Sequence, residues 1–320
     1  MTVPGPPLLR CLLNQAAPWQ RTLRLAGIPQ GRLRDDYTAA AHVAARRYPA
    51  LYPPGRLLSP MAWQPHLFAV GALIIHADCL ADVPVHRYEP AVFHTWAGQV
   101  RQGLATGRAE QPFLRAFLHT ARVQPLDPAD VHDYLAGQLA RLGVRGYATE
   151  QDKHDNTDRS NMPSARILLA ACRIPRHSRN ETASRLAFDA AQRWDDLADL
   201  AEDLRRGLLT IPETDLLRFD VTRTDLEAGR DTPAVRALLA HECGKARAAF
   251  HTAQAALDDA DQGVQFLYRP VLMLLHQGVR GLEQRGAALL RPSSRWHFRL
   301  SPTRLAGDTL RTLHHRLRLG

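Results

Sequence analysis

Apolar residues along this chain recur every three or four positions far more often than they alternate, which is the spacing of helices. The periodicity predicts helices over Arg34–Arg47, around the apolar run Leu67–Ile75, and over Ala91–Ala109, Gln111–Arg122 and Pro128–Leu142. It predicts four more over Ser164–Arg173, Asn180–Leu209, Thr232–Asp258 and Leu267–Leu290. Proline marks the breaks. Pro4, Pro6, Pro7, Pro18 and Pro29 leave residues 1–34 as an irregular N-terminal arm, and Pro53, Pro54 and Pro60 punctuate the approach to the Leu67 helix. Val83–Pro90 reads as a loop and Tyr147–Asp158 as a polar, acidic stretch. Valine and isoleucine are few beside leucine and alanine, which also favours an all-α fold. With no long linker and no internal repeat, the expectation is a single domain over residues 35–305 and a basic tail over 306–320.

One helix of this set carries an unusual polar face. In Phe188–Pro212, Asp195, Asp199 and Asp203 stand four residues apart, with Gln192 one turn ahead of them. They share one stripe, while Leu197, Leu200, Ala201 and Leu204 form the face expected to pack inward. Arg205, Arg206 and Gly207 can end the helix, and Pro212 prevents an early restart. Acids at this spacing repel one another by roughly a few tenths of a kcal/mol per exposed pair. A divalent cation would remove that repulsion, and carboxylate oxygens are the ligands Mg²⁺ takes. A solvated acidic face is the plain alternative. A second pair, Asp78 and Asp82, follows the apolar run in Ile74–Asp82. Carboxylates entering a buried helix unpaired are costly, so two such helices facing each other could hold a small Mg²⁺ cluster and a diphosphate.

Composition narrows the partners without naming them. The 320 residues carry a net charge of +9, supplied almost wholly by arginine, since Lys153 and Lys245 are the only lysines. Such a balance suits phosphate-rich or anionic partners, membrane surfaces included. No nucleic-acid motif accompanies it. Cys11, Cys79, Cys172 and Cys243 are scattered and form no CxxC, as expected of buried thiols in a reducing compartment. No secretory leader pattern is present and no apolar run reaches the roughly 18–20 residues of a membrane span. A cytoplasmic location is therefore expected. The tail Arg291–Gly320 alternates bulky apolar residues with arginine, which fits peripheral membrane contact or a surface helix with snorkelling arginines.

The motifs resemble the squalene/phytoene synthase superfamily of isoprenoid enzymes, from about Asp35 to about Leu305. Its second acidic motif has the form Q-x-x-N-x-x-x-D-x-x-x-E-D followed by R-G-R-x-Y-x-P. It is matched by Gln192, Asp195 in the Asn slot, Asp199, Glu202, Asp203, Arg206, Gly207 and Pro212. The first motif matches Asp78 and Asp82, and Arg46–Leu58 is similar to the family's entry segment. The resemblance implies a helical bundle of the isoprenoid-synthase type with a central cavity. It further implies a Mg²⁺-dependent prenyltransferase acting on an allylic isoprenyl diphosphate. Asp78, Asp82, Asp195, Asp199 and Asp203 become metal-site carboxylates, and Gln192, Arg159, Arg166, Arg193 and Ser160 become substrate-binding candidates.

Departures from the pattern shape the expected acceptor. Ile75, Ala198 and Leu208 stand where the family keeps arginine, and Thr210 where it keeps tyrosine. The middle motif survives only as Ser160-Asn161-Met162-Pro163-Ser164-Ala165-Arg166. Head-to-head coupling needs two diphosphate sites, so these losses favour transfer of the prenyl group to a non-isoprenoid aromatic or quinonoid acceptor. Squalene, hydroxysqualene or phytoene synthesis is the alternative, and a catalytically degenerate lipid-binding or partner subunit is a second one.

Overall fold

A computed structural model describes residues 19–49, 52–81 and 90–291, and among them every regular element is helical. The chain runs through α1 (Trp19–Leu25), α2 (Arg32–Arg47), α3 (Tyr52–Leu58), α4 (Gln64–Ala81), α5 (Pro90–Thr106), α6 (Pro112–Val123) and α7 (Pro128–Arg141). It continues through α8 (Glu150–Ala171), α9 (Ser178–Ala198), α10 (Leu200–Arg206), α11 (Glu213–Arg218), α12 (Arg223–Glu227), α13 (Pro233–Asp258) and α14 (Gln262–Arg285), closing with a 3₁₀ turn, Gly286–Leu290.

Two groups of helices share α8. On one side α2, α4 and α6 pack together, burying Leu23, Tyr37, Ala69 and Ala116 in one cluster. On the other, α9, α13 and α14 bury Ala190, Phe250, Val264 and Leu282. Helix α8 packs against α7, α9 and α4, and so lies between the groups. Helix α4 has 18 residues and a mean hydropathy of 1.2, enough by length and composition for a membrane span. Its apolar side chains are used inside instead, with Ala69, Val70, Ala72 and Leu73 fully buried.

Several expectations need correction. The arm is helical over Trp19–Leu25, where the Trp19 indole donates to Thr38 of α2 at 2.8 Å. The polar stretch before Ser164 is the first half of α8. Thr149 and Asp152 form a capping box that starts it, and Pro163 lies inside the helix. A proline there leaves the carbonyl four residues back, Arg159, without its helical donor. The backbone of Gly137 in α7 comes against that carbonyl so closely that a Cβ would lie 2.2 Å from it. Only glycine permits that crossing of α7 and α8. Helices α11 and α12 are too short for periodicity to reveal. The thiols of Cys172 and Cys243 are buried as expected, but Cys79 is exposed. The loop after Ala81, up to residue 89, and the tail from residue 292 lie outside the described residues.

Candidate functional site

The first acidic motif sits near the end of α4, where Asp78 is half-buried. Asp82 lies outside the described residues. Helix α7 supplies the support. The Gln138 amide donates to Asp78 Oδ1 at 3.1 Å and to the Tyr134 hydroxyl at 3.0 Å. Tyr134 in turn donates to the carbonyl of Ile74, one turn before Asp78, at 3.5 Å. Gln138 and Tyr134 are both buried, so this clamp is sheltered from water. Burial, and then the charge of Asp78, push the Tyr134 phenol well above its ordinary pKa.

The second motif is a helix with a break in it. Helix α9 stops at Ala198, Asp199 takes φ −101 and ψ 7, and α10 resumes at Leu200. The Asp199 carbonyl accepts from the amides of both Glu202 and Asp203, at 2.8 and 2.9 Å, so the acids remain one turn apart across the break. Gly207, with φ 90, ends α10 as the sequence predicts. Leu197, Leu200, Ala201 and Leu204 are buried, Asp199 and Asp203 are half-buried, and Asp195 is exposed. The Arg206 guanidinium lies 3.6 Å from Asp203 and 2.7 Å from Glu202.

The buried acid of this region is Asp196, one residue along from the expected Asp195. Its carboxylate meets Lys153 Nζ of α8 at 2.7 Å, with both side chains under a tenth exposed. The Gln192 amide donates to the other Asp196 oxygen at 2.8 Å, so Gln192 serves Asp196. Arg193 is likewise committed, to Glu150 at 2.6 Å and Asp189 at 3.0 Å. Lys245 extends the lattice to Glu150 at 2.6 Å, Asp215 at 2.8 Å and Glu242 at 2.9 Å. Both lysines of the chain are thus spent inside one network. Periodicity missed it because Lys153 and Asp196 each look like surface residues until helices α8 and α9 face each other.

Helix α7 connects the two motifs. After Arg141 the chain runs alongside the segment that follows α10. Leu209 donates to the Arg145 carbonyl at 3.0 Å, Glu213 to Tyr147 at 2.9 Å and Thr214 to Ala148 at 3.2 Å. The last turn of α7 therefore touches Asp78, and the segment that follows it flanks the end of the second motif. The Arg141 guanidinium donates to the buried Ser160 hydroxyl at 3.4 Å. Its charge also holds down the phenols of Tyr134 and Tyr147, each raised chiefly by burial. The charges of Asp196 and Asp203 push Tyr147 further up.

Of the other candidates, Arg159 is exposed in an open groove between α7 and α8. Arg166 lies 3.6 Å from Asp130 and 3.6 Å from Glu181. Neither joins the acids. Asp78, Asp199 and Asp203 present hard carboxylate oxygens, the donor chemistry that Mg²⁺ takes. A different acidic group, Asp215, His241 and Glu242, brings its ligand atoms within 4.8 Å of one another. There the Lys245 ammonium already stands where a cation would bind.

Comparison with known proteins points the same way. Residues 50–304 match the model of the squalene/phytoene synthase family. The 15-cis-phytoene synthase of Synechococcus elongatus is 25% identical over 264 residues, covering 77% of this chain and 85% of that protein. A squalene synthase from Alicyclobacillus acidocaldarius superposes with a TM-score of 0.70 at 20% identity, over 82% of this chain and 98% of its own. A dehydrosqualene synthase solved with a ligand gives 0.76 at 17% identity, over 88% and 98%.

Proposed function

The chain belongs to the squalene/phytoene synthase family, and from that premise we propose that this prenyltransferase ionises an allylic isoprenyl diphosphate between its two acidic motifs and joins the prenyl cation to a second isoprenyl diphosphate. Asp78, Asp199 and Asp203 would hold Mg²⁺, with Asp82 completing the first motif and Asp195 at the edge of the second. A divalent cation held by these carboxylates would supply Lewis-acid neutralisation of the charge that grows on the departing diphosphate. The carboxylates fix the position of that charge, and the Gln138–Tyr134 clamp fixes Asp78. The new carbon–carbon bond takes its electron pair from the double bond of the second substrate, with loss of a proton. The product keeps the second diphosphate, and a hydrocarbon forms only when that group departs as well, with a second proton.

The observation that carries this reading is helix α7, which touches Asp78 through Gln138 and flanks the second motif through the 145–148 segment. The relatives that cover most of the chain are phytoene synthases, and they support a second isoprenyl diphosphate as acceptor. A second reading, transfer to an aromatic or quinonoid acceptor, is favoured by Ile75 and Ala198, apolar and buried where basic groups were expected. Incubation with Mg²⁺ and farnesyl or geranylgeranyl diphosphate alone separates the two. A cyclopropylcarbinyl diphosphate, or a dehydrosqualene- or phytoene-type hydrocarbon, supports head-to-head coupling. Diphosphate release that waits for an added aromatic acceptor supports the second reading. No release with either would leave a binding subunit, and no observation on the site favours that.

A further inference from the structure

A diphosphate carries several negative charges and is poorly held without cationic hydrogen-bond donors. Around the acidic motifs most arginines are already committed. Arg193 is bound by Glu150 and Asp189, Arg166 faces Asp130 and Glu181, and Arg206 lies against Glu202 and Asp203. Arg141 differs. It stands one turn after Gln138 on α7, half-buried, and among the described residues its hydrogen-bond partner is the neutral hydroxyl of Ser160. Residues three apart on a helix share a face, so Arg141 follows Gln138 along the side of α7 that meets Asp78.

We propose that Arg141 is the basic partner of the substrate's diphosphate, with Ser160 holding the guanidinium in place between the two acidic motifs. This rests on the reading of the acidic motifs as a diphosphate site. It assigns the binding role expected of Arg159, Arg166 and Arg193 to a residue outside every recognisable motif. Arginine suits the role because its planar fork grips phosphate oxygens in pairs, and a hydroxyl partner leaves that fork its charge. Ser160 keeps a place in the site as the residue that orients Arg141.

The test is titration calorimetry of the full chain with inorganic pyrophosphate in the presence of Mg²⁺. Arg141→Met keeps the stem and removes the charge, and Arg141→Gln is a second neutral variant should the first fail to fold. The neutral variants are expected to bind pyrophosphate at least about tenfold more weakly, the scale of one charge-assisted hydrogen bond. Arg141→Lys should fall between, keeping the charge without the fork. Affinity for farnesol, which has no diphosphate, should not change. A folded neutral variant that binds pyrophosphate like the unsubstituted chain overturns the assignment. If the unsubstituted chain itself binds no pyrophosphate with Mg²⁺, the diphosphate site falls and the role of Arg141 with it.

Discussion

The two acidic motifs share a spacing and differ in what holds them. At the first motif the Gln138 amide, a neutral donor, reaches Asp78 and also donates to the Tyr134 phenol. The second motif leans on an ionic lattice in which Lys153, Arg193 and Lys245 answer Asp196, Glu150, Asp189, Asp215 and Glu242. A neutral clamp fixes a carboxylate at little electrostatic cost. A buried lattice is secure only while every member is present, because removing one partner strands a charge in low dielectric. The same spacing of acids therefore yields two sites of different fragility.

The largest effect should come from the acids themselves. Asp199→Asn and Asp203→Asn, and on the other helix Asp78→Asn, should each lower turnover by roughly two orders of magnitude or more while the fold survives. Steady-state assays with Mg²⁺, paired with circular dichroism, read both. Near-wild-type turnover in Asp78→Asn alone would break the comparison and leave catalysis to the second motif.

Stability should then separate the supports. Lys153→Met leaves Asp196 buried without its cation and should destabilise the fold by roughly 3–5 kcal/mol. Adding Asp196→Leu should recover most of that loss in thermal or denaturant melts. Gln138→Met removes only neutral hydrogen bonds and should cost roughly 1–3 kcal/mol, while raising the Mg²⁺ concentration needed for half-maximal activity. An equal loss from both single variants would erase the distinction.

Acid sharpens the contrast least but cleanly. Burial alone would raise the Glu150 carboxyl, yet Lys245 and Arg193 pull it from 4.5 down to about 2. A depressed carboxylate stabilises the fold above its unfolded pKa, and that contribution drains away as pH falls through the folded one. Stability should therefore decline between about pH 4.5 and 2, and Glu150→Gln should flatten that part of the curve. An unchanged slope in the variant would show that Glu150 does not anchor the lattice.

Much of this molecule was legible in one dimension. Helical periodicity marked α2, α5, α6, α7 and α13 within a few residues and located α4 and α14, because each buries apolar residues at helical spacing. It ran α9 and α10 together across the break at Asp199. The stop at Gly207 was legible because a left-handed cap admits glycine readily. The polar half of α8 was not, because its buried face is made of Lys153, Thr157 and Ser160. Those residues carry no hydrophobic signal, and their fitness for the interior depends on partners that arrive from α7 and α9.

The sequence by itself determined the all-α class, the helix bearing Asp195, Asp199 and Asp203, and the family resemblance, since all three rest on spacing along one chain. The tertiary structure decided which of the polar residues matter to one another. Asp196 rather than Asp195 is the buried acid, Gln192 serves it, and Gln138 holds Asp78. Arg159 and Arg166 lie apart from the acids, and Arg141 lies on the helix that joins the motifs. The physical reason is that a charge or an amide has no preferred side of a helix until another element supplies its counterpart.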